Sequence, residues 1–270
     1  MNDRVQITMD DGVADVRLVR ADKMNALDDA MFEALVAAGE RLKAEPGVRC
    51  VVLSGEGRAF CAGLDMGNFG RMADGSRRPA ADGGERLTAR THGVANRAQY
   101  AVWVWRELPM PVIAAVHGVA FGGGFQLMLG ADMRFVAPDA RLAVLEIKWG
   151  LVPDMAGTLL MRHLAREDVV RELTFTGRIF SGEEALKLGF ATRVTADPRA
   201  EALSVAREIA GRNPDAVRAA KRLLNGVTEF TDPLVGLTQE TREQIALIGS
   251  PNQVEAVKAN LEKRAPAFRD

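Results

Sequence analysis

The chain is poor in the residues that most often carry disulfide, metal or redox chemistry. Only two cysteines, Cys50 and Cys61, and three histidines, His92, His117 and His163, stand in 270 residues. Two cysteines in so long a chain make no disulfide framework and read as free thiols of a reducing compartment. Cys61 is expected as a small buried apolar residue, with a nucleophilic thiol as the alternative. No two histidines share metal-ligand spacing, so zinc is not expected. No stretch reaches the roughly 18 apolar residues of a membrane span. No apolar run follows Met1-Asn2-Asp3-Arg4, so no export signal is expected. Neither sign of charge is in excess: 35 Lys and Arg face 36 Asp and Glu, for a net charge of −1. That removes the global electrostatic argument for nucleic acid or an anionic membrane. These absences point to a cytoplasmic protein whose partners are neither.

What is present is a core. Apolar residues make up 47% of the chain, enough for one large domain or two small ones. Val5 to Met9 and Val13 to Leu18 alternate around Asp11-Gly12, a hairpin signal. Asp28 to Lys43 carries apolar residues at helical spacing. Cys50 to Ser54, Pro111 to Val116 and Met133 to Val136 read as buried strands. Strands alternating with helices predict an α/β fold with a parallel sheet. Beyond Asp154 helical patterns dominate, at 197–211, 214–224, 233–248 and 252–263. The chain therefore divides into an α/β core over 1–195 and a C-terminal helical region over 196–270. The last helices look too thin to bury their apolar stripes on their own chain, which predicts oligomerisation. Residues 67–96, rich in Gly, Ala, Asp and Arg, form either a surface insertion or a lid over a pocket.

Two glycine-bearing segments could offer main-chain N–H groups to an anion. In Gly118-Val119-Ala120-Phe121-Gly122-Gly123-Gly124-Phe125-Gln126, three glycines join a strand-like run to a helix-like one. Phe60-Cys61-Ala62-Gly63-Leu64-Asp65 follows a strand and a glycine-rich turn. One N–H from each would form an oxyanion hole, often worth ~3 kcal/mol per donor in the transition state. Taken singly, each segment is better explained as a tight turn. No Gly-Lys-Ser/Thr follows the triple glycine, so it is not a phosphate loop, and no G-x-S-x-G elbow is present. Glu146 lies among apolar residues, where its pKa would rise into a useful range for proton transfer; a salt bridge to Lys148 is the alternative. Asp154 fits a helix N-cap, which does not prevent it from facing a pocket. Gln126 can only hydrogen-bond.

At these residues the chain resembles the crotonase (enoyl-CoA hydratase/isomerase) superfamily. The resemblance runs through Lys23-Met24-Asn25-Ala26-Leu27, Phe60 to Asp65, Pro111-Val112-Ile113-Ala114-Ala115-Val116-His117-Gly118, Phe121 to Gly124 and Gly150-Leu151-Val152-Pro153. Thr176-Gly177-Arg178, Ala185 to Gly189 and Glu262-Lys263-Arg264 continue it. It implies a crotonase/ClpP-like spiral of ββα units with a C-terminal helical trimerisation region, as a homotrimer or a dimer of trimers. It implies an acyl-CoA thioester as substrate, coenzyme A being part of that substrate and no separate cofactor being used. The oxyanion hole would be the N–H groups of Ala62 and Gly123. Lys23, Met24, Ala26, Leu64, Asp65, Met66, Phe121, Gly122 and Gln126 would line the thioester and its CoA.

The carboxylates depart from the commonest pattern of that family. Its hydratases use two glutamates, and here the first position is Gln126 while the second is Glu146. Its dienoyl-CoA isomerases pair a glutamate at the Glu146 position with an aspartate at the Asp154 position; they usually carry an aspartate at the Gln126 position too, so the match is partial. The expected reaction is therefore double-bond migration in 3-enoyl- or 3,5-dienoyl-CoA, with Glu146 and Asp154 catalytic. Enoyl-CoA hydration is the alternative, and a non-catalytic or RNA-binding homologue a further one.

Overall fold

A computed structural model describes residues 3–73, 88–227 and 233–270. The hairpin forms as the sequence predicts: β1 (Val5–Asp10) pairs antiparallel with β2 (Val13–Leu18) through Asp11-Gly12, both at positive φ. Parallel pairing then adds β3 (Cys50–Gly55), β4 (Val112–Val116), β6 (Met133–Val136) and β9 (Arg193–Val194) to give the order β1-β2-β3-β4-β6-β9. All residues of β3 and β4 are buried, as parallel strands covered on both faces require. A smaller sheet contains β5 (Val119–Phe121), β7 (Arg141–Ala143) and β8 (Phe180–Ser181).

The two sheets are linked by a repeat. β4 lies in the large sheet, and after His117-Gly118 the chain enters the small sheet as β5 and then forms the helix Gly123–Leu129. β6 and β7 repeat the step and end in the 3-10 turn Glu146–Trp149. One unit earlier, β3 is followed by Cys61, a one-residue strand that pairs parallel with Ala120, and then by the helix Met66–Ala73. Successive ββα units are thus stacked side by side, the spiral that the resemblance implies. Their exits from the small sheet, after Cys61, Phe121 and Ala143, become neighbours through the pairings Cys61 with Ala120 and Phe121 with Ala143.

One apolar core fills the space between the sheets and the helices Asp29–Ala44 and Arg97–Glu107. A second covers the opposite face of the large sheet. There Ala202, Ala206 and Ala210, four apart on the helix Pro198–Ala210, pack on Val13, Cys50, Val52, Ile113, Ala115 and Phe135. Small side chains at that spacing let the helix lie close on the strands. This helix therefore completes the sheet, although a boundary at 196 would have set it with the C-terminal region. Helices Pro214–Val227, Pro233–Leu247 and Pro251–Glu262 follow, each close to its sequence-predicted span. The sequence pattern did not single out Glu167–Thr176, Gly182–Leu188 or the short strands β7 to β9, where two or three residues carry no periodicity. Among the described residues no helix is long and apolar enough to cross a membrane.

The helix Pro214–Val227 is pinned by one cation. Lys221 is 6% exposed and donates to the carbonyls of Trp105 and Met110, at 3.3 and 2.9 Å, and to Asp132 at 2.7 Å. Asp132 also accepts from the Val112 N–H at 2.7 Å, at the start of β4. Removing the ammonium leaves two carbonyls and a carboxylate short of a donor in a protein interior. Lys221→Met is therefore expected to cost about 3 kcal/mol of stability, measured by urea unfolding. A loss under about 1 kcal/mol would mean that water replaces the ammonium without penalty.

Candidate active site

Glu146 reaches the site because β7 ends there and the chain turns at once into a 3-10 helix. It is 9% exposed. Gln126 stands on the adjoining unit, one turn into the helix Gly123–Leu129, and is 1% exposed. Gln126 Nε2 donates to Glu146 Oε1 at 2.7 Å. The Gln126 Oε1 accepts from the main-chain N–H groups of Met155, at 2.9 Å, and Gly157, at 3.0 Å. Gln126 thus ties the glutamate to the loop that carries Asp154. Glu146 Oε2 is buried with no hydrogen-bond partner among the described residues.

Burial pushes the Glu146 carboxyl above its ordinary value; the main-chain N–H groups of Glu146 and Leu145 and the Gln126 amide oppose the rise, and the nearby Asp154 charge adds to it. Burial also pushes the Asp154 carboxyl up. Asp154 is nevertheless exposed at its edge, so water screens it and its shift is the weaker argument. Lys148 makes no salt bridge to Glu146; its ammonium lies over the Trp149 ring at 5.6 Å. Asp154 is not a cap either. The helix Gly157–Met161 begins at Ala156 with no capping side chain of its own, and the Gln126 oxygen serves its first N–H instead. The carboxylate at 154 is thereby left outside the helix-capping network.

The main-chain donors differ from those the resemblance implies. Ala62 does not offer a free N–H: it donates to the Met24 carbonyl at 2.9 Å. The adjacent Gly63, at φ +87°, resets the alternation of the extended chain. Its carbonyl accepts from Leu27 N–H at 2.8 Å, and Asp65 N–H returns to the Leu27 carbonyl at 3.1 Å. Leu64 N–H is left facing away from that pairing, with no acceptor among the described residues. Gly123 N–H opens its helix and is in the same condition. The two lie together, since a Cβ built on Gly63 would sit 3.6 Å from the Gly123 nitrogen. Glu146 is beside them, its Oε1 3.3 Å from the Cβ position of Gly122. Among the described residues the neighbouring N–H groups without an acceptor are thus those of Leu64 and Gly123, whereas the N–H expected at Ala62 is already bonded. Leu64 stood among the substrate-lining residues, and the positive φ its neighbour requires is the signal that identifies its N–H.

The loop Lys23 to Ala26 folds against this site. Met24 and Asn25, at φ +50° and +55°, take a left-handed conformation that costs a non-glycine residue on the order of 1 kcal/mol. The Asn25 side chain offsets that cost. Fully buried, it accepts from Arg20 N–H at 2.9 Å and donates to the carbonyls of Glu56 and Ala59, at 3.0 and 2.8 Å. Asn25 and Arg20 support the loop; Asn25 lies inside the Lys23 to Leu27 motif with no role assigned to it, and Arg20 lies outside every motif. Asp65 is held by Arg20 at 2.6 Å and accepts from Gly67 N–H at 2.8 Å, so it braces the turn. Lys23 and Met66 stand exposed at the rim, and Met24, Leu64, Phe121 and Gly122 are half-buried around it, while Ala26 is buried. Phe69 stacks on Trp149 at 4.0 Å, joining the helix after the first donor loop to the turn that carries Glu146. Of the 67–96 segment, expected as a surface insertion or a lid, residues 74–87 lie outside the described residues.

Cys61 is the small buried residue expected, its thiol pushed up to about 12 by burial, which leaves no thiolate for nucleophilic chemistry. The site therefore offers two convergent N–H donors, one buried carboxyl that holds its proton more tightly than usual, and a second carboxyl at its edge. Such an arrangement can stabilise a developing oxyanion and move a proton beside it.

Comparison with known proteins places this arrangement. Residues 8–270 match the family model described as enoyl-CoA hydratase/isomerase. The mevalonyl-coenzyme A hydratase of Beauveria bassiana is 35% identical over 94% of this chain and 90% of its own length. The mitochondrial Delta(3,5)-Delta(2,4)-dienoyl-CoA isomerase of Mus musculus is 31% identical over 93% of this chain and 77% of its own. The crystal structure of an enoyl-CoA hydratase from Bacillus anthracis superposes with a TM-score of 0.86 at 29% identity, covering 98% of both chains. The chain belongs to the enoyl-CoA hydratase/isomerase family.

Proposed function

We propose that the protein moves a carbon–carbon double bond in an acyl-CoA thioester, converting 3-enoyl- or 3,5-dienoyl-CoA to the conjugated 2-enoyl or 2,4-dienoyl ester. The observation that carries this is the state of Gln126. Its amide is engaged by Glu146 and two main-chain N–H groups, so it supplies neither a proton nor a base. Glu146 then works without a carboxylate partner at that position, and the other nearby carboxyl is Asp154.

The thioester oxygen accepts from Leu64 and Gly123 N–H. Glu146 takes a proton from C2, and the C–H electrons move into the thioester to form a dienolate from a 3-enoyl ester or a trienolate from a 3,5-dienoyl ester. The dienolate collapses as a proton is returned to C4, and the trienolate as one is returned to C6. The carboxyl that gained the proton returns it over the short distance, and Asp154 serves the longer one. No atom is gained or lost. Lys23, Met24 and Met66 meet the CoA portion at the rim.

Hydration of a 2-enoyl ester is the second reading, favoured by the 35% identity to a mevalonyl-coenzyme A hydratase. A panel of 2-enoyl-, 3-enoyl- and 3,5-dienoyl-CoA esters separates the two. Isomerisation is expected to yield products of unchanged mass with conjugated absorbance from the 3-enoyl or 3,5-dienoyl esters. Unchanged 3-enoyl and 3,5-dienoyl esters beside rapid addition of water to the 2-enoyl ester would give the site to hydration.

The assembly is read as a homotrimer or a dimer of trimers. Ile245 and Ile248, at the end of the helix Pro233–Leu247, and Leu261 on the last helix are more than 60% exposed in the isolated chain, an apolar surface that association would cover.

A further inference from the structure

We propose that Gln126 is a positioning residue that dictates which oxygen of Glu146 handles the proton, through an amide whose orientation the main chain enforces. This rests on Glu146 as the proton carrier. An amide presents either end to a neighbour with the same shape, and the two ends differ only in donating or accepting. Here the main chain decides. Met155 N–H and Gly157 N–H converge on one end of the Gln126 amide, at 2.9 and 3.0 Å, and only an oxygen accepts from both. The fit is close: a Cβ on Gly157 would lie 2.6 Å from that oxygen. The NH2 end must then face Glu146 Oε1, 2.7 Å away. A flipped amide would set donor against donor twice and oxygen against oxygen once.

Glu146 Oε1 therefore always meets a donor, and its lone pair there is engaged. Oε2 carries no bond among the described residues and is the oxygen left to take and return the proton. A carboxyl with one oxygen anchored and the other bare is a defined base rather than a rotating one.

The charged groups around Glu146 offer no substitute for this donor. Asp154, on the following loop, is negative. Lys148, on the same turn, is directed over the Trp149 ring. On the helix Glu167–Thr176 that packs against the turn, Arg171 is paired with Glu167 and Glu172 with Arg178. The helix Gly157–Met161 carries no charge.

Gln126→Glu isolates the positioning role from a merely structural one. It keeps an oxygen for Met155 and Gly157 N–H, so the loop remains held. It replaces the donor facing Glu146 by a second carboxylate oxygen. The two N–H groups favour negative charge at position 126, so the proton that two adjacent carboxylates share resides on Glu146. Glu146 becomes a base only at higher pH. The acidic limb of kcat, on whichever ester the wild-type protein turns over, is expected to move up by about one pH unit or more, while KM changes less than about threefold. Infrared difference titration of the Glu146 carboxyl, identified by its loss in Glu146→Gln, reads the same shift without turnover. Gln126→Met, which also removes the donor, is expected to raise the Glu146 titration as well, and it decides the matter should Gln126→Glu not fold. Glu146 titrating at its wild-type pH in the folded variant overturns the proposal, whatever the reaction. A shifted titration in a protein that acts on none of the esters overturns the proposed function and leaves the positioning role standing.

Discussion

Glu146→Gln is expected to lower kcat by about 10³-fold or more while leaving thioester affinity within about threefold. The substitution is nearly isosteric. A glutamine oxygen at 146 still accepts from Gln126 Nε2 where Oε1 does so now at 2.7 Å. The donors at Leu64 and Gly123 are main-chain groups and remain in place, so the ester still binds. What disappears is, among the described residues, the buried carboxyl of the site, and with it the group proposed to take the C2 proton. Asp154, whose edge is open to water, is expected not to take over the C2 proton. The measurement is turnover of the reactive ester alongside calorimetric binding of a non-reacting acyl-CoA. Activity within tenfold of wild type would remove Glu146 from the chemistry and shift the base to Asp154. Loss of binding together with turnover would instead give Glu146 a structural role.

How far the sequence reaches can be judged at particular residues. Glu146 was legible because a carboxylate set among apolar residues carries its own chemical argument, and burial does raise its pKa. The parallel sheet was legible because β3 and β4 are continuous apolar runs bounded by turns. The donor at Leu64 was not. Which N–H of a short segment is free depends on what the others bond, and Ala62 is engaged by Met24, a partner 38 positions back in the chain. Asp154 has the composition of an N-cap, but a side chain from another unit took that task. Gln126 illustrates the same limit in reverse. Its type excludes proton transfer, whereas its role as the tie between Glu146 and the 155–157 loop exists only once two adjoining units are stacked. Asn25 supports two strained residues through bonds to positions 20, 56 and 59. Local patterns record which residues face a core; they do not record which long-range hydrogen bonds are already spent.

The three glycines between β5 and the following helix are expected to separate sharply on substitution, with Gly124→Ala the most damaging. Each is glycine for a different reason. Gly122 sits at φ +49°, ψ −117°, a conformation that side chains rarely adopt. Gly123 has no such restriction, and an added Cβ would meet the ends of two flexible side chains, Leu27 Cδ1 at 2.8 Å and Met155 Sδ at 3.0 Å. These can move aside, for about 1 kcal/mol. Gly124 has no such freedom. An added Cβ would stand 2.1 Å from the Cys61 carbonyl oxygen and 2.8 Å from its carbon. Cys61 is held on both sides, its N–H by Val119 and its carbonyl by Phe121 N–H. Relief requires the helix Gly123–Leu129 to move away from the first donor loop, parting Gly123 from Leu64 and dragging Gln126 from Glu146. The cost is about 3 kcal/mol or more, which in a chain of this size lowers Tm by roughly 6–12 °C. Calorimetry of the two alanine variants, with kcat measured well below both transitions, makes the comparison. Gly123→Ala is expected to keep its Tm within about 4 °C of wild type. In Gly124→Ala the folded fraction loses turnover as well as stability, because the same displacement opens the oxyanion hole. A Gly124→Ala protein with wild-type Tm and kcat would mean that the helix start and the Cys61 strand are not packed backbone to backbone, and the donor pair would have to be sought elsewhere.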